Sequence, residues 1–197
     1  MRKRGRAWLV LGALLLLGAA GLVCANLLAD GRAALDAAAV VEQLPREQAD
    51  DDAAPPDYLL DPDRDLPLIE VNGTRYAGTL SIPALGLELP VAAAWSYATL
   101  RTAPCIYTGT PYRNDMVICA HNYRSHFGRL SELEEGTEVV FTDNDGNRFR
   151  YAVAGLEILR PTAVAEMVDS AYDLTLFTCT LGGQTRMTIR CVALDPR

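Results

Sequence analysis

The segment Asp173-Leu174-Thr175-Leu176-Phe177-Thr178-Cys179 is rich in β-branched and aromatic residues and ends on a cysteine. After the glycine-containing connection Leu181-Gly182-Gly183-Gln184, the chain continues as Arg186-Met187-Thr188-Ile189-Arg190-Cys191-Val192. The second segment alternates polar and apolar residues with the period of two that is typical of a strand with one buried face. The sequence therefore predicts two neighbouring strands, with the apolar residues of the second facing the core and Arg186 beside the strand that ends in Cys179.

The cysteine at the end of the first strand is a candidate nucleophile. A thiol becomes useful in catalysis only when another group lowers its pKa or accepts its proton. His121, one of two histidines, lies far upstream at the end of the run Val117-Ile118-Cys119-Ala120. Arg186 carries a permanent cation that can stabilise an oxyanion. These three residue types form a complete set for acyl transfer, and strands can bring them together although they are distant in sequence.

Each of these residues has a competing interpretation. A lone cysteine in an apolar strand is usually a small buried hydrophobic residue. Arg190 lies on the same strand face as Arg186 and is an alternative cation. Arg186 is favoured because it lies at the start of that strand, closer to Cys179. His126 is an alternative base, but its polar loop favours a merely solvated side chain.

The motifs as a set resemble the sortases, the cell-wall transpeptidases of Gram-positive bacteria. That family has a Thr-Leu-x-Thr-Cys strand, as in Thr175 to Cys179, and an arginine at the start of the next strand, as at Arg186. It also has a histidine at a strand end, followed here by Asn122-Tyr123 and Phe127-Gly128-Arg129-Leu130. The resemblance spans roughly residues 78–193.

The resemblance implies a mainly β fold, a closed barrel of about eight strands with a few short helices. It implies that Cys179 cleaves a Leu-Pro-x-Thr-Gly-like sorting signal through a thioester and that an amine then takes the acyl group. His121 would act as acid and base, and Arg186 and the backbone N–H after Cys179 would stabilise the oxyanion. The predicted substrate-binding residues are Asn122, Tyr123, Phe127 and Thr178.

Two other functions fit the same residues. The protein could be an exported thiol peptidase, in which water resolves the thioester, or a surface assembly module without catalysis. The sortase class is also open, because the His-Asn-Tyr and Phe-Gly segment is class B-like, whereas the short connection from Cys179 to Arg186 is not. The donor would be a surface protein or pilin with a sorting signal, and the acceptor amine would belong to a peptidoglycan precursor or a pilin lysine.

The remaining pattern from residue 66 onward is also β. The clearest hairpin consists of residues 137–142 and 148–153 around the turn Asp143-Asn144-Asp145-Gly146-Asn147. Other strands are predicted at residues 76–83, 87–91, 105–108 and 116–120, with a helix over residues 162–168. Many short strands with few helices predict a barrel or a sandwich.

The N-terminus predicts a membrane anchor. Residues 1–6 form a basic tail, and residues 7–29 form an uncharged apolar segment long enough to cross a bilayer. The positive charges before this segment favour a cytoplasmic N-terminus and an extracellular catalytic domain in residues 67–197. A cleaved signal peptide is the alternative.

An acidic segment connects the anchor to the catalytic domain. Residues 30–66 form this stalk and linker, beginning with a short helical continuation of the anchor. Within it, Asp61-Pro62-Asp63 is expected to be solvated linker, the alternative being a lid over the site.

Composition limits the remaining functions. The net charge of −7 without a basic patch argues against nucleic acid as a partner. No metal site and no cofactor are expected, because two histidines without a Cys-x-x-Cys pair do not make a zinc site. The turn after residue 142 resembles part of a calcium loop but lacks the glutamate at its twelfth position, so calcium is possible but unsupported. Cys105 and Cys119 are expected to be buried free thiols, with a disulfide between them as the alternative.

Overall fold

The computed structural model describes residues 2–45, 57–59, 61–168 and 171–194, and within these ranges the side chains from residue 5 onward other than that of residue 57. Two α-helices, five short 3₁₀ helices and nine strands lie in this part of the chain. The α-helices are α1 (Arg2–Val41) and α2 (Val164–Val168). The strands are β1 (Ile69–Val71), β2 (Thr74–Ile82), β3 (Leu87–Ala92), β4 (Cys105–Thr108), β5 (Met116–Ala120), β6 (Glu138–Asp143), β7 (Arg148–Leu159), β8 (Leu174–Cys179) and β9 (Arg186–Ala193).

Eight of these strands close into a barrel. Their order is β2-β3-β4-β5-β8-β9-β7-β6, and β6 pairs back onto β2 through residues such as Leu80 and Phe141. Most neighbours are antiparallel, but β3 with β4 and β5 with β8 are parallel. The predicted eight-stranded barrel is therefore confirmed. The three-residue strand β1, which the sequence analysis missed, adds a short edge to β2.

The barrel core is filled by the inward-facing residues of these strands. On β9, Ile189 and Cys191 are fully buried in this core and Met187 packs against it, as the alternation predicted. The opposite face of β9 is also covered, since Thr188 and Arg190 are buried. The predicted hairpin is present as β6 and β7, although β7 continues to Leu159.

The hairpin turn is held together by hydrogen bonds to the Asp143 carboxylate. The Asp143 carboxylate accepts hydrogen bonds from the backbone N–H groups of Asp145 and Asn147, both at 2.9 Å. It also accepts from the Asn147 amide at 2.8 Å and from the buried Tyr112 hydroxyl at 2.7 Å. A carboxylate accepting four hydrogen bonds is satisfied by the protein itself.

Helix α1 is continuous through the apolar segment and onto the barrel. The large apolar side chains of residues 8–28 are exposed, whereas Ala33, Ala37 and Val40 are buried against the barrel. Their i, i+4, i+7 spacing forms one stripe on the helix, and alanine permits close approach. The helical continuation predicted after the anchor is present, but it is packed on the domain rather than standing free as a stalk.

A hydrogen-bonded contact fixes this helix to the loop after β5. The Ser125 backbone N–H donates to the Asp30 carboxylate over 3.0 Å. The Ser125 hydroxyl donates to the same carboxylate and, over 3.2 Å, to the Asp30 carbonyl oxygen. The barrel is therefore attached to α1 immediately after its exposed apolar segment.

The described part of the predicted linker also packs on the barrel. The Tyr58 ring stacks on the Tyr112 ring with a centroid distance of 5.0 Å, and Arg113 lies 3.5 Å from the Asp63 carboxylate. Residues 46–56 and 60, including Asp50-Asp51-Asp52 and Pro55-Pro56, lie outside the described residues. Residues 57–59 and 61–66 do not line the cavity that contains Cys179. The lid alternative for Asp61-Pro62-Asp63 therefore finds no support in their position.

Candidate active site

The parallel pairing of β5 with β8 brings two distant side chains to the same end of the barrel. Ala120 on β5 is in register with Thr178 on β8, so His121 and Cys179 follow at equivalent positions. The Thr178 hydroxyl donates a hydrogen bond to the Ala120 carbonyl oxygen over 2.8 Å and ties the two strand ends together. On the other side of β8, Cys179 is directly in register with Arg186 of β9. Sheet pairing therefore brings the histidine, the cysteine and the arginine to the same end of the barrel.

These three side chains line one cavity of about 220 Å³ at this end of the barrel. The Cys179 side chain is half-buried, which leaves its sulfur accessible from the cavity. The rest of the lining is predominantly apolar and comes from residues before β4, from β4, β5 and β8 and from the α2 region. Those residues are Trp95, Tyr97, Leu100, Tyr107, Cys119, Ala120, Arg160, Pro161, Ala163, Val164, Met167 and Phe177.

One wall of the cavity is a chain of aromatic rings that the sequence analysis missed. The Trp95 ring lies 6.0 Å from the Tyr107 ring and 5.8 Å from the Tyr97 ring. Tyr107 in turn meets Phe177 edge-on with a centroid distance of 5.5 Å. Trp95 and Tyr97 are exposed large aromatics in an otherwise alanine-rich loop, and that contrast was the signal available in the sequence.

The environment of His121 favours the neutral imidazole. Burial lowers its pKa below the usual value of 6.5, and the positive charge of Arg101 lowers it further. Its ring packs against the Tyr123 ring at a centroid distance of 5.0 Å. A neutral imidazole beside a thiol can accept its proton, which a protonated imidazole cannot.

The Arg186 side chain is hydrogen-bonded to the turn that precedes β9 and has further N–H donors available. Its Nη1 donates to the carbonyl oxygens of Gly183 and Thr185 over 3.0 and 3.1 Å. Its Nε and Nη2 groups make no hydrogen bond to the described residues, so they can donate to a molecule in the cavity. The backbone N–H of Thr180, which was expected to help bind an oxyanion, donates instead to the Thr185 carbonyl oxygen over 3.1 Å.

The rival cation, Arg190, is committed to structural contacts and does not line the cavity. Its side chain is 5% exposed and lies 2.6 Å from the Glu157 carboxylate. Its two Nη groups donate to the carbonyl oxygens of Met167 and Glu166 and to the Thr175 hydroxyl. Arg190 therefore fixes the α2 region against the barrel and has no position from which to contact a substrate.

His126 was expected to be solvated, and this expectation was wrong. The side chain is 0% exposed, and neither ring nitrogen has a hydrogen-bond partner among the described residues. Burial is the main cause that lowers its pKa to about 4; the charge of His121 acts in the same direction, and the Asp30 carboxylate opposes it. The ring lies beneath α1, which covers this loop, and does not line the cavity of Cys179.

The four predicted substrate-binding residues have different surroundings. Phe127 is completely buried in the barrel core and Thr178 uses its hydroxyl to bind Ala120, so neither contacts the cavity. The positions of these two side chains therefore give no support to their predicted role in substrate binding. Asn122 is exposed, and Tyr123 lies between the rings of His121 and His126. Neither residue lines the cavity of Cys179, and Tyr123 contacts it only through the His121 ring.

Gly128 permits the tight loop that carries His121. A Cβ atom at this position would lie 2.5 Å from the Asn122 carbonyl oxygen and 2.8 Å from the Tyr123 carbonyl oxygen. The Gly128 N–H donates to the same Tyr123 oxygen over 2.8 Å, and the Phe127 N–H donates to the His121 carbonyl oxygen over 3.2 Å. Only a residue without a side chain fits this closed loop without displacing backbone.

The other barrel cysteines are buried free thiols. Cys105 and Cys119 face each other in register on β4 and β5, but they are not joined by a disulfide. Burial raises the pKa of each thiol to about 12, so neither forms a thiolate readily. Cys119 lines the cavity together with Cys179 and is the second thiol that a reagent in the cavity would meet.

We compared the chain with models of protein families, with curated protein sequences and with solved structures. A family model described as Sortase domain matches residues 80–194, which is more than half of the chain. Sortase C1 from Streptococcus agalactiae has 21% sequence identity and a TM-score of 0.57, with 70% of this chain and 76% of that protein covered. No curated protein sequence matches this chain.

Two Clostridium perfringens structures are similar to the same degree. Sortase C from strain SM101 has 20% identity and a TM-score of 0.55, covering 88% of this chain and 90% of that protein. A sortase D5 transpeptidase has 19% identity and a TM-score of 0.54, covering 61% and 79%. At such identities these structures establish a common fold, and they belong to classes C and D rather than to class B.

Proposed function

This chain belongs to the sortase family of transpeptidases, and we propose that Cys179, His121 and Arg186 carry out its acyl transfer. The observation that supports this assignment is the strand register, which places His121 beside Cys179 through the β5–β8 pair and Arg186 beside Cys179 through the β8–β9 pair. All three line the same cavity. The roles follow from the chemistry of each group.

In the first half of the reaction, Cys179 forms a thioester with the substrate. The neutral His121 imidazole accepts the thiol proton as the sulfur attacks the carbonyl carbon of the scissile peptide bond. Arg186 donates hydrogen bonds from Nε and Nη2 to the oxyanion of the tetrahedral intermediate. His121 then returns its proton to the leaving nitrogen, the carbon–nitrogen bond breaks, and the C-terminal fragment departs as an amine.

In the second half, an amine resolves the thioester. His121, neutral again, accepts a proton from the incoming amine as its nitrogen attacks the thioester carbon. The carbon–sulfur bond then breaks, the proton passes to the sulfur, and a new amide is released. These steps need no metal or organic cofactor, so we expect the same rate in the presence and absence of a chelator.

The substrate is proposed to be a Leu-Pro-x-Thr-Gly-like sorting signal on a surface protein or pilin. One related protein, sortase C of Clostridium perfringens, has been solved with the C-terminal cell wall sorting motif. The apolar and aromatic wall from Trp95 to Phe177 is suited to a leucine and a proline, because both side chains are apolar and compact. The acceptor would be an amine of a peptidoglycan precursor or of a pilin lysine.

The protein is proposed to be anchored in the cell membrane by α1. This helix is long and apolar enough to cross a bilayer, and its apolar side chains are exposed. The basic residues before the apolar segment favour a cytoplasmic N-terminus, which places the barrel outside the cell. Such a location gives the enzyme access to surface proteins that are still attached to the membrane.

The test uses the full chain in neutral detergent with a Leu-Pro-x-Thr-Gly peptide library and triglycine. We expect an acyl adduct detectable by mass spectrometry and a triglycine-linked product. The adduct should disappear in Cys179→Ala and persist in Cys119→Ala, which removes the other thiol of the same cavity. An adduct that survives in Cys179→Ala would refute the nucleophile, and hydrolysis alone at every triglycine concentration would indicate a peptidase.

A further inference from the structure

A second cavity lies between α1 and the barrel, next to the active site but outside it. It has a volume of about 530 Å³ and is lined on the helix side by Ala29, Arg32, Ala33 and Asp36. On the barrel side it is lined by Arg101, with Tyr97, Thr102, His121 and Tyr123 around it. Tyr97 and His121 line both cavities, so the two are adjacent.

The charges in this second cavity are suited to a single anion. Arg32 and Arg101 contribute two positive charges and Asp36 one negative charge. Among the described residues, neither arginine forms an ion pair, although other arginines of this chain do so readily, as Arg129 does with Glu132. A phosphodiester carries one negative charge and acceptor oxygens that arginine recognises through its fork of N–H groups.

The position of the cavity indicates that the anion comes from a membrane lipid. The exposed apolar segment ends at Ala29, where the first charged residue, Asp30, follows. With a rise of 1.5 Å per residue, Arg32 lies about 5 Å beyond that boundary. The headgroup region of one leaflet extends roughly 5–8 Å beyond the hydrocarbon, so Arg32 is at headgroup depth if α1 spans the bilayer.

The attachment of the barrel to α1 fixes the position of the cavity relative to the membrane surface. Ser125 is hydrogen-bonded to Asp30, and the alanine stripe of the helix is buried against the barrel. The barrel cannot move away from the membrane surface without breaking these contacts. Arg101, which lies on the barrel, is therefore held at the same depth as Arg32.

We propose that the cavity between α1 and the barrel binds the phosphodiester headgroup of an anionic membrane phospholipid through Arg32 and Arg101. The inference rests on the membrane anchoring given under Proposed function. The bound headgroup sits beside His121 and Tyr97, with its acyl chains directed along α1 into the bilayer. A phosphate at this position also offsets the charge of Arg101 near His121.

The experiment measures binding to the full chain in neutral maltoside micelles. Dihexanoyl phosphatidylglycerol, dihexanoyl phosphatidylcholine and inorganic phosphate are titrated separately. The readouts are the ³¹P signal of each ligand and the Trp95 fluorescence, with Trp8 replaced by Phe in all the proteins compared. We expect saturable binding of the phosphatidylglycerol only. In Arg32→Gln/Arg101→Gln its affinity should fall by about tenfold or more, whereas Arg124→Gln, an exposed arginine on the loop next to Ser125, should retain it.

Three results would overturn the proposal. The first is equal affinity for phosphatidylglycerol and phosphatidylcholine. The second is an equal loss of phosphatidylglycerol affinity in Arg124→Gln and in the double variant. The third is inorganic phosphate binding as tightly as the lipid, which would mean an adventitious ion only. Both arginines are exposed, so their replacement should leave the fold intact. The acyl adduct at Cys179, measured on the same samples, reports separately on the proposed function.

Discussion

The buried histidine beneath α1 should make the stability of this protein depend on pH in a calculable way. His126 has a pKa of about 4 in the folded protein, against an ordinary value of 6.5. Between these values the unfolded chain binds a proton that the folded chain excludes. The contribution of His126 to stability is therefore fully present above pH 6.5, is lost as the pH falls toward 4, and changes no further below that.

The magnitude follows from the linkage between proton binding and unfolding. One pKa unit corresponds to about 1.4 kcal/mol, so the total loss approaches about 3.4 kcal/mol below pH 4. At pH 5 the loss is about 2 kcal/mol, which is a large part of the stability of a typical domain. His126→Phe removes the titrating group and keeps a ring in the same apolar space. This variant should therefore not lose this part of the free energy of unfolding as the pH falls.

The assay is urea unfolding of the full chain in neutral detergent at pH 7.5 and pH 5. Trp95 fluorescence reports on the barrel when Trp8 is replaced by Phe in both proteins. We expect the free energy of unfolding to drop about 2 kcal/mol more in the parent than in His126→Phe, because the variant lacks this buried titrating group. Equal pH dependence in the two proteins would refute the reasoning, because it would show that His126 is protonated without cost.

Three further predictions concern the site. Arg186→Lys should lower kcat by about 10²–10³ because the planar fork of donors is lost, and a rate within threefold of the parent would contradict its role. Gly128→Ala should destabilise the protein by about 1–3 kcal/mol in thermal unfolding, because a Cβ atom would displace backbone, and an unchanged Tm would contradict this reasoning. Arg101→Gln should raise the pKa of His121, measured by NMR titration of the imidazole, and an unchanged or lower value would contradict the charge effect.

Much of the fold follows from local patterns. The alternation after Arg186 correctly predicted that Met187, Ile189 and Cys191 face the barrel core, because a strand places successive residues on opposite faces. It did not predict that Thr188 and Arg190 on the opposite face are buried as well. The turn at Asp143 correctly predicted the hairpin. The short strand β1 was missed, since three residues are too few to show a period.

The surroundings of individual residues were harder to predict. The loop of His126 is polar in sequence, yet α1 covers it, and that contact joins residues almost a hundred positions apart. Arg190 and Arg186 share one strand face, and the sequence favoured Arg186 only because it lies nearer to Cys179. The packing of the α2 region on Arg190 could not be read from the sequence. The aromatic wall near Cys179 combines residues from separate loops and strands, so no short motif could reveal it.

The sequence by itself determined which reactive groups this protein has: a histidine, a cysteine at a strand end and an arginine, in that order along the chain. It also determined the apolar helix that precedes them. These features are local, because residue type and short-range periodicity need no knowledge of the rest of the chain. Only the tertiary structure decided that β5 and β8 pair in parallel with Ala120 opposite Thr178, that the Thr180 N–H is already used, and that α1 closes over the loop of His121. Those outcomes depend on hydrogen bonding and burial between segments far apart in the chain, where the free energy comes from pairs of surfaces rather than from any single segment.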